Sequence, residues 1–332
     1  MFWLDNARII AIYAVLILHV AAGPLTSNDF GSFAWWVSNV MDSMVRWCVP
    51  VFVMISGALL LDPNKQESLS SFYFKRLSKI LIPIVFWSIL YLGWAIFNGE
   101  SLSVLGMLKR IVSGKPHYHM WFLYMIVILY LFTPFFRKVV AQSSQSELGV
   151  LTAALFVLSA LNFAADVFVD GSSRWFFNWF LQYIPYFFLG YYIRNDKRKP
   201  AQGLLWLVFL GTGVFTCVGC YLLALETKEA FGYYFYGYVS ISVIPMSISL
   251  MYLLKSWDKP MINAGFCRKL SLLTLGIYLI HPIFLETLQS SAFHLSDAHP
   301  LISIPVLSVV VALVSTLVVY LISHIPLLKR VI

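Results

Sequence analysis

The sequence predicts an all-α, polytopic membrane protein: a bundle of about ten transmembrane helices with both termini in the cytoplasm. Of its 332 residues, 60% are hydrophobic and 11% are charged, and the mean hydropathy is +0.80. An ordinary soluble domain is about 45–50% apolar and about 25% charged. These values exclude a soluble enzyme, a disordered chain, and a transmembrane β-barrel, whose alternating strands average to a modest hydropathy.

Each predicted helix is a stretch long enough to cross the hydrocarbon core, which takes about 20 mainly apolar residues. The first stretch also fits a signal peptide, because Arg8 precedes an apolar run that ends in Ala21-Ala22, but His19 inside that run favours a span. No linker or soluble domain separates the stretches, so we predict one integral membrane domain over residues 1–332. The ten stretches are 7–23, 36–61, 78–97, 119–136, 147–165, 176–193, 203–224, 235–254, 271–290 and 301–323.

The basic residues orient the predicted spans. The chain carries 23 Lys and Arg against 15 Asp and Glu, a net charge of +8, and such an excess in a membrane protein gathers in cytoplasmic loops. With the N-terminus inside, 17 of the 23 fall on the cytoplasmic side and five, including Arg174, on the outer side, while Arg46 lies within the second span. No basic run interleaved with aromatic residues suggests a nucleic-acid partner.

Arg8 and His19 lie on one face of the first predicted helix. The step of eleven positions from Arg8 to His19 turns the helix about 20° past three full turns and raises it by roughly 16 Å. Arg8 is therefore expected at the cytoplasmic mouth and His19 beyond the midplane. Because an ionisable group at membrane depth is costly, a functional role is the default hypothesis for His19.

Other polar side chains are expected near these two. Arg46 is predicted at the depth of His19, and the ninth span carries Tyr278 and His281 three residues apart on one helical face. Imidazoles therefore gather towards the outer half of the bundle and cations at the inner mouth. The side chains at the span ends are His119 and Trp121, at the outer start of the fourth span, and Arg76 and Lys79, at the inner start of the third.

Several of these features also have a simpler interpretation. Lys75, Arg76 and Lys79 fit a positive-inside anchor, and Ser56 before Gly57 fits close helix packing better than a nucleophile. The other histidines fit a headgroup-level loop or helix ends: His117, His294, His299 and His324.

Neither a metal site nor a disulfide is expected. His117 and His119 flank Tyr118, but this spacing does not suit a helical metal-binding pair, and no Glu-x-x-His motif accompanies it. The four cysteines lie mostly in apolar stretches and are interpreted as packing residues, with Cys217 and Cys220 as an alternative redox pair.

Five short motifs occur in order along the spans. Arg8 precedes His19 by eleven positions, Arg46-Trp-Cys-Val-Pro-Val-Phe52 leads to Ser56-Gly57, and Arg76-Leu77-Ser78-Lys79 opens the third span. The stretches from His119 to Leu123 and from Gly276 to His281 complete the set. Over essentially its whole length the chain thereby resembles the acyltransferase 3 family of integral membrane acyltransferases. It departs from the family's Arg-x-x-Arg motif at Lys79, which keeps the positive charge but loses the bidentate fork of arginine.

The resemblance implies a donor, an acceptor and a location. The donor is acetyl-CoA, a cytoplasmic polyanion that Arg8, Arg76 and Lys79 are expected to bind at the inner mouth. The acceptor is a hydroxyl of a cell-surface polysaccharide or of its lipid-linked precursor, and the location is the bacterial cytoplasmic (inner) membrane. With no fused esterase domain in the sequence, the chain is most similar to the stand-alone members of the family, such as those that acetylate enterobacterial common antigen.

The resemblance also implies roles for the polar residues. His19 is expected to act as general base on the acceptor hydroxyl, or to take the acetyl group itself, with His281 near the thioester. Arg46 or Tyr278 is expected to stabilise the developing oxyanion. His119 and Trp121 are expected to line the entrance for the glycan.

Two other functions stay open at this level. A transporter or flippase of a glycan lipid or a small anion would use the same cations for binding and the histidines as a proton relay, and it would not depend on CoA. A structural subunit that recruits glycan enzymes would leave the alignment of Arg8 with His19 without a purpose. The oligomeric state is also open, with a homo-oligomer among the alternatives. The sequence likewise leaves open whether the acyl group is acetyl, succinyl or another small group, and on which side of the membrane the acceptor binds.

Overall fold

The structure is a computed structural model that describes residues 1–65, 67–170, 176–290 and 298–332, with side chains throughout except at 169–170 and 176–180. The predicted outer location of Arg174 and the interpretation of His294 as a loop residue fall outside the described residues. Every regular element in the described part of the chain is helical. The α-helices are α1 Phe2–Ser27, α2 Phe33–Val45, α3 Cys48–Leu60, α4 Leu69–Phe97, α5 Val104–Val112, α6 Trp121–Gln142, α7 Gln145–Ala165, α8 Phe176–Asn195, α9 Gln202–Glu226, α10 Glu229–Gly232, α11 Val243–Ser256, α12 Ala264–Gln289 and α13 Pro300–Ser323.

The all-α, polytopic bundle is confirmed. Among the described residues, eight helical segments, with α2 and α3 counted as one, are long and apolar enough to cross a membrane. The predicted number of ten stays a prediction. The helices α8 and α11 occupy the positions of the sixth and eighth predicted spans, and α11 has only 14 residues.

The eighth predicted span, 235–254, begins later than expected. Residues Tyr233–Tyr236 form a 3₁₀ turn, and the α-helix starts only at Val243. Pro245 lies in the first turn of α11, where its missing N–H costs nothing, and the Ser240 hydroxyl accepts a hydrogen bond from the Val243 N–H at 3.3 Å. A proline and a local hydrogen bond therefore accompany this boundary, and hydropathy does not reveal it.

The second predicted span, 36–61, is divided into α2 and α3 at Arg46 and Trp47. Pro50 has no N–H to donate to the carbonyl of Arg46, so one hydrogen bond of a continuous helix is missing here. The ladder resumes with the Val51 N–H bonded to the carbonyl of Trp47 at 3.0 Å. The break places Arg46 at a helix end inside the bundle.

Basic side chains bind helix ends together at one end of the bundle, which we call the basic end. The Arg137 Nε donates to the carbonyl of Leu60 at 2.6 Å, and the Arg194 guanidinium donates to the carbonyl of Ala58 at 2.6 Å. Nearby, the Asn6 side chain donates to the carbonyl of Lys259 at 2.8 Å. These contacts join the end of α3 to α6 and α8, and the N-terminal part of α1 to the loop between α11 and α12.

The helix α1 lies in the middle of the bundle, packed against α2, α3, α12 and α13. Beside it, α3 and α8 pack with their backbones in contact. A Cβ atom at Gly57 would overlap the carbonyl of Phe187, and one at Gly190 would overlap the carbonyl of Met54. The two glycines therefore allow the backbones to touch, as small residues do between membrane helices.

Candidate functional site

His19 on α1 and His281 on α12 meet in the interior of the bundle. The His19 Nδ1 lies 2.7 Å from the His281 Nε2, and the two rings stack with centroids 4.9 Å apart and planes 6° from parallel. His281 is fully buried, whereas His19 is partly accessible. Two residues that lie 262 positions apart thus form one hydrogen-bonded pair.

The hydrogen bonds around this pair assign its protons. The His281 Nδ1 lies 3.2 Å from the carbonyl oxygen of Ile277, which can only accept, so Nδ1 carries the hydrogen and Nε2 of the neutral ring is an acceptor. The His19 Nδ1 must then be the donor to His281. The His19 Nε2 keeps its lone pair and is free to take a proton.

Tyr278 and His119 form the wall beside this pair. The Tyr278 hydroxyl donates a hydrogen bond to the backbone carbonyl of His119, and the ring centroids of His119 and His281 lie 5.6 Å apart. His119 is 1% exposed, and among the described residues its Nε2 has no hydrogen-bond partner. A buried polar atom without a partner is costly in a resting protein, so this nitrogen is a candidate contact for a bound reactant.

A small cavity of about 20 Å³ lies between these side chains. Its lining includes His19, His119, Trp121 and Tyr278. A water molecule needs about 10–15 Å³ of such volume, so the space holds one group the size of a water or a hydroxyl. The cavity brings the predicted entrance residues next to the predicted base.

A larger cavity, about 370 Å³, extends from this region to the basic end. Arg8 and Lys79 line its basic end, together with Ser271, and Tyr278 lines the other. The walls of the cavity between these two ends are mainly apolar. The two cavities share four lining residues: Val15, Val49, Phe122 and Tyr278.

Arg8 is held in place at the mouth of this larger cavity. Its guanidinium lies 3.8 Å from the Asp5 carboxylate and 3.5 Å from the Ser271 hydroxyl, and Ser271 in turn donates to Asp5 at 2.7 Å. Arg76, the third predicted donor-binding residue, is not among the residues that line the cavity. Its Nε is buried without a partner among the described residues.

Arg46 is placed differently from the other predicted catalytic residues. Its guanidinium is ion-paired with Asp42, with the Nε to Oδ2 distance at 2.6 Å, and it lies over the Tyr236 ring at 4.3 Å from the centroid. The structure therefore brings His19, His281, His119 and Tyr278 together and leaves Arg46 engaged in a neighbouring ion pair.

Sequence reasoning missed Glu286, which lies five residues after His281. Its carboxylate accepts a hydrogen bond from the Trp94 indole at 2.7 Å and lies 3.1 Å from the Nε2 of His117. The His117 Nδ1 lies 2.9 Å from the Nδ1 of His119. A carboxylate inside a predicted span is a signal that the cost of membrane charges could have revealed. Within the described ranges, no group of three His, Cys, Asp or Glu side chains is arranged to hold a metal.

The fold and the site define a multi-pass membrane protein with acid–base side chains beside the end of a cavity that lies farthest from the basic end. A family model described as an acyltransferase domain matches residues 1–324, and the chain therefore belongs to the acyltransferase 3 family. It is a membrane acyltransferase. Comparisons with curated proteins and with solved structures give no match.

Proposed function

We propose that the protein moves an acetyl group from acetyl-CoA to a hydroxyl of a cell-surface polysaccharide or its lipid-linked precursor. The observation that carries this proposal is the pair of adjoining cavities, which join cationic side chains at the basic end to the free nitrogen of His19. Membership of an acyltransferase family supplies the class of reaction.

The larger cavity suits the donor. Arg8 and Lys79 at its mouth match the phosphates of CoA in charge, while Ile80, Leu123 and Ile126 offer apolar walls to the pantetheine arm. Its volume of about 370 Å³ lies within the usual range of about 300–1,000 Å³ for ligand pockets. A thioester bound along it would reach Tyr278 and the small cavity. Arg76 would add to the positive field at the mouth.

The chemistry centres on His19. The acceptor oxygen attacks the thioester carbon while its proton passes to the His19 Nε2. When the carbon–sulfur bond breaks, the imidazolium returns that proton to the thiolate, so an acetyl ester and free CoA leave and His19 is neutral again. His281 accepts from the His19 Nδ1–H throughout, which holds the ring and stabilises its protonated form, as the orienting group of a catalytic triad does.

Other groups would stabilise the tetrahedral intermediate. Tyr278 lines both cavities, and its hydroxyl is the predicted donor for the oxyanion, a role typically worth about 2.7–4 kcal/mol. To play that role, its single O–H would turn from the carbonyl of His119 to the oxyanion. Arg46 would contribute through its charge, because its guanidinium already donates to Asp42 and to the carbonyl of Tyr236. His119 and Trp121 would line the approach of the acceptor hydroxyl.

We also propose an orientation of the protein in the membrane and its molecular surroundings. The basic end would face the cytoplasm, following the positive-inside rule, with both chain termini on that side. We place the protein in the bacterial cytoplasmic membrane, with membrane lipid and the glycan acceptor as its partners and no metal in the reaction.

The first test uses the purified protein in nanodiscs with radiolabelled acetyl-CoA, added to glycan-containing membranes of the source cells that lack the gene. We expect His19→Ala to lower acetyl transfer by about 10²–10⁴-fold, the usual contribution of a general base, while CoA binding changes little. Arg8→Ala should weaken CoA binding about 10–100-fold, since a hydrogen bond to a charged group contributes about 1.5–3 kcal/mol.

The exposed His324 at the end of α13 provides a matched control. His324→Ala should leave both binding and transfer unchanged. Near-normal transfer by folded His19→Ala protein would reject the role of His19. No CoA binding by folded wild-type protein would reject the whole proposal.

A further inference from the structure

A second large pocket lies at the end of the bundle opposite the basic end. It encloses about 500 Å³ between the end of α4, the segment 98–118 and the end of α12. Its lining includes Trp94, Asn98, His117, Tyr118 and Glu286. We call it the carboxylate pocket, after Glu286.

The carboxylate pocket adjoins the catalytic pair. The Tyr118 ring lines the pocket and also meets His19 edge to face, with the ring centroids 5.2 Å apart. His117 lines the pocket as well, and its Nδ1 lies 2.9 Å from the Nδ1 of His119 beside the small cavity. A ligand in this pocket would therefore be separated from the His19 site by the Tyr118 ring on one side and by the His117–His119 hydrogen bond on the other.

The lining has the chemistry that recognises a sugar. Glu286 is fixed by the Trp94 indole at 2.7 Å and by His117 at 3.1 Å, and a carboxylate has about four lone-pair positions, so further hydroxyl donors find acceptors on it. Asn98 offers an amide, and Trp94 and Tyr118 offer aromatic surface. Arg110 and Glu100 form an ion pair at 2.6 Å, and Lys115 and Glu286 also line the pocket. With two acidic and two basic side chains, the lining is polar but charge-balanced.

We propose that the carboxylate pocket binds the sugar ring of the acceptor and directs one of its hydroxyls past Tyr118 to His19. This inference rests on the proposed function and adds the location of the acceptor. Donor and acceptor then reach His19 from opposite ends of the bundle. Neither molecule has to cross the membrane whole, since only the acetyl group passes between the two binding sites.

A competing site is the hollow of about 360 Å³ beside Arg46, lined by Ala22, Thr26, Tyr233 and Tyr236. The carboxylate pocket is the better candidate because two of its own lining residues contact the His19 site. The Arg46 guanidinium, by contrast, is engaged with Asp42. The experiment below compares the two locations directly.

The test blocks each location with a thiol reagent. All four natural cysteines are free and buried, so a single introduced cysteine on an exposed position is selectively modified. Asn98→Cys places a thiol in the carboxylate pocket, Thr26→Cys places one in the hollow beside Arg46, and Ser101→Cys places one on the surface near the pocket but outside its lining. Intact cells are treated with membrane-impermeant reagents of increasing size. Membranes are then opened, and labelled acetyl-CoA is added to measure acetyl incorporation into the native glycan.

We expect Asn98→Cys protein to lose transfer at least tenfold with bulky reagents, and less with a small one, while CoA binding by the purified, labelled protein stays within twofold. Labelled Ser101→Cys and Thr26→Cys proteins should keep their transfer. Because each variant is compared with itself before labelling, a folding defect does not mimic the result.

Full transfer by completely labelled Asn98→Cys protein would overturn the inference, as would loss of transfer confined to labelled Thr26→Cys protein. Absence of transfer by unlabelled wild-type protein is a different outcome, since it counts against the proposed function itself.

Discussion

His281 acts on the reaction through His19 in the proposed mechanism. Its Nε2 must accept a hydrogen bond, because its Nδ1–H is used by the Ile277 carbonyl at 3.2 Å. His281→Leu removes that acceptor and frees His19 to adopt the other tautomer, with its Nε2 no longer basic. We expect the rate of acetyl transfer to fall by about 10²–10⁴-fold, with the KM for acetyl-CoA changed by less than about threefold, measured by release of free CoA.

The conservative variant separates positioning from packing. In His281→Gln, the side-chain carbonyl can still accept from the His19 Nδ1–H, so this protein should recover a large part of the activity lost in His281→Leu. Equal activity of the two variants would contradict the tautomer assignment, and equally low stability of both would point to a packing role.

Positions on a helix were predictable at the residue scale, but the choice of partners was not. Helical periodicity placed Arg8 with His19, and Tyr278 with His281. In the structure Arg8 lines the larger cavity and His19 lines the small cavity that adjoins it, while the rings of Tyr278 and His281 have centroids 6.1 Å apart. It also placed Arg46 near the depth of His19. Whether the Arg46 guanidinium binds near His19 or pairs with Asp42 depends on side-chain rotamers and on which helices are neighbours. The periodicity of a single helix gives no information on either.

At the scale of elements, hydropathy identified the helices and missed their interruptions. A window of about 20 residues averages over the break at Arg46 and Trp47 and over the late start of α11 at Val243. Both interruptions involve a proline and local hydrogen bonds, so Pro50 and Pro245 were the available signals. Glu286 was missed for a related reason, because one carboxylate hardly lowers the mean hydropathy of a 26-residue helix.

The contact between α3 and α8 gives a prediction about stability. A Cβ at Gly57 would overlap the Phe187 carbonyl, and backbone cannot move aside as a flexible side chain can. Gly57→Ala should therefore force the two helices apart, at a cost of about 1–3 kcal/mol typical of overpacking. We expect the Tm in detergent, followed by intrinsic tryptophan fluorescence, to fall by several degrees.

Gly211 in α9 is the matched control, since an added Cβ there meets nothing within 4 Å. Gly211→Ala should leave the Tm unchanged or raise it, because alanine favours a helix over glycine by about 1 kcal/mol. A Gly57→Ala protein as stable as the wild type would show that the α3–α8 contact is looser than the structure has it. A fall in the Tm of Gly57→Ala protein alone would give the Ser56-Gly57 motif a structural reason, which is close packing next to the larger cavity.

At the scale of the whole molecule, the proposed donor and acceptor sites would form one route with His19 in the middle. The donor cavity leads from Arg8 and Lys79 to Tyr278, and the carboxylate pocket reaches His19 from the other end through Tyr118. The helix α1 connects the two halves, since it carries Arg8 near its start and His19 about 16 Å further along. Such a route would explain why His19, the proposed general base, lies between the two faces of the membrane.

This route predicts that acetyl-CoA supports transfer only when it is added on the side of the membrane that the basic end faces. In sealed inside-out vesicles, which expose the basic end, added acetyl-CoA should support acetyl transfer to the native glycan. In sealed right-side-out vesicles it should support less than about a tenth of that rate, because CoA is a membrane-impermeant polyanion and its cationic mouth faces the lumen. Detergent at a concentration that opens the vesicles should equalise the two preparations, which controls for the amount of active protein. Equal rates in both sealed preparations, or transfer confined to right-side-out vesicles, would contradict the assignment of the basic end as the cytoplasmic donor entrance.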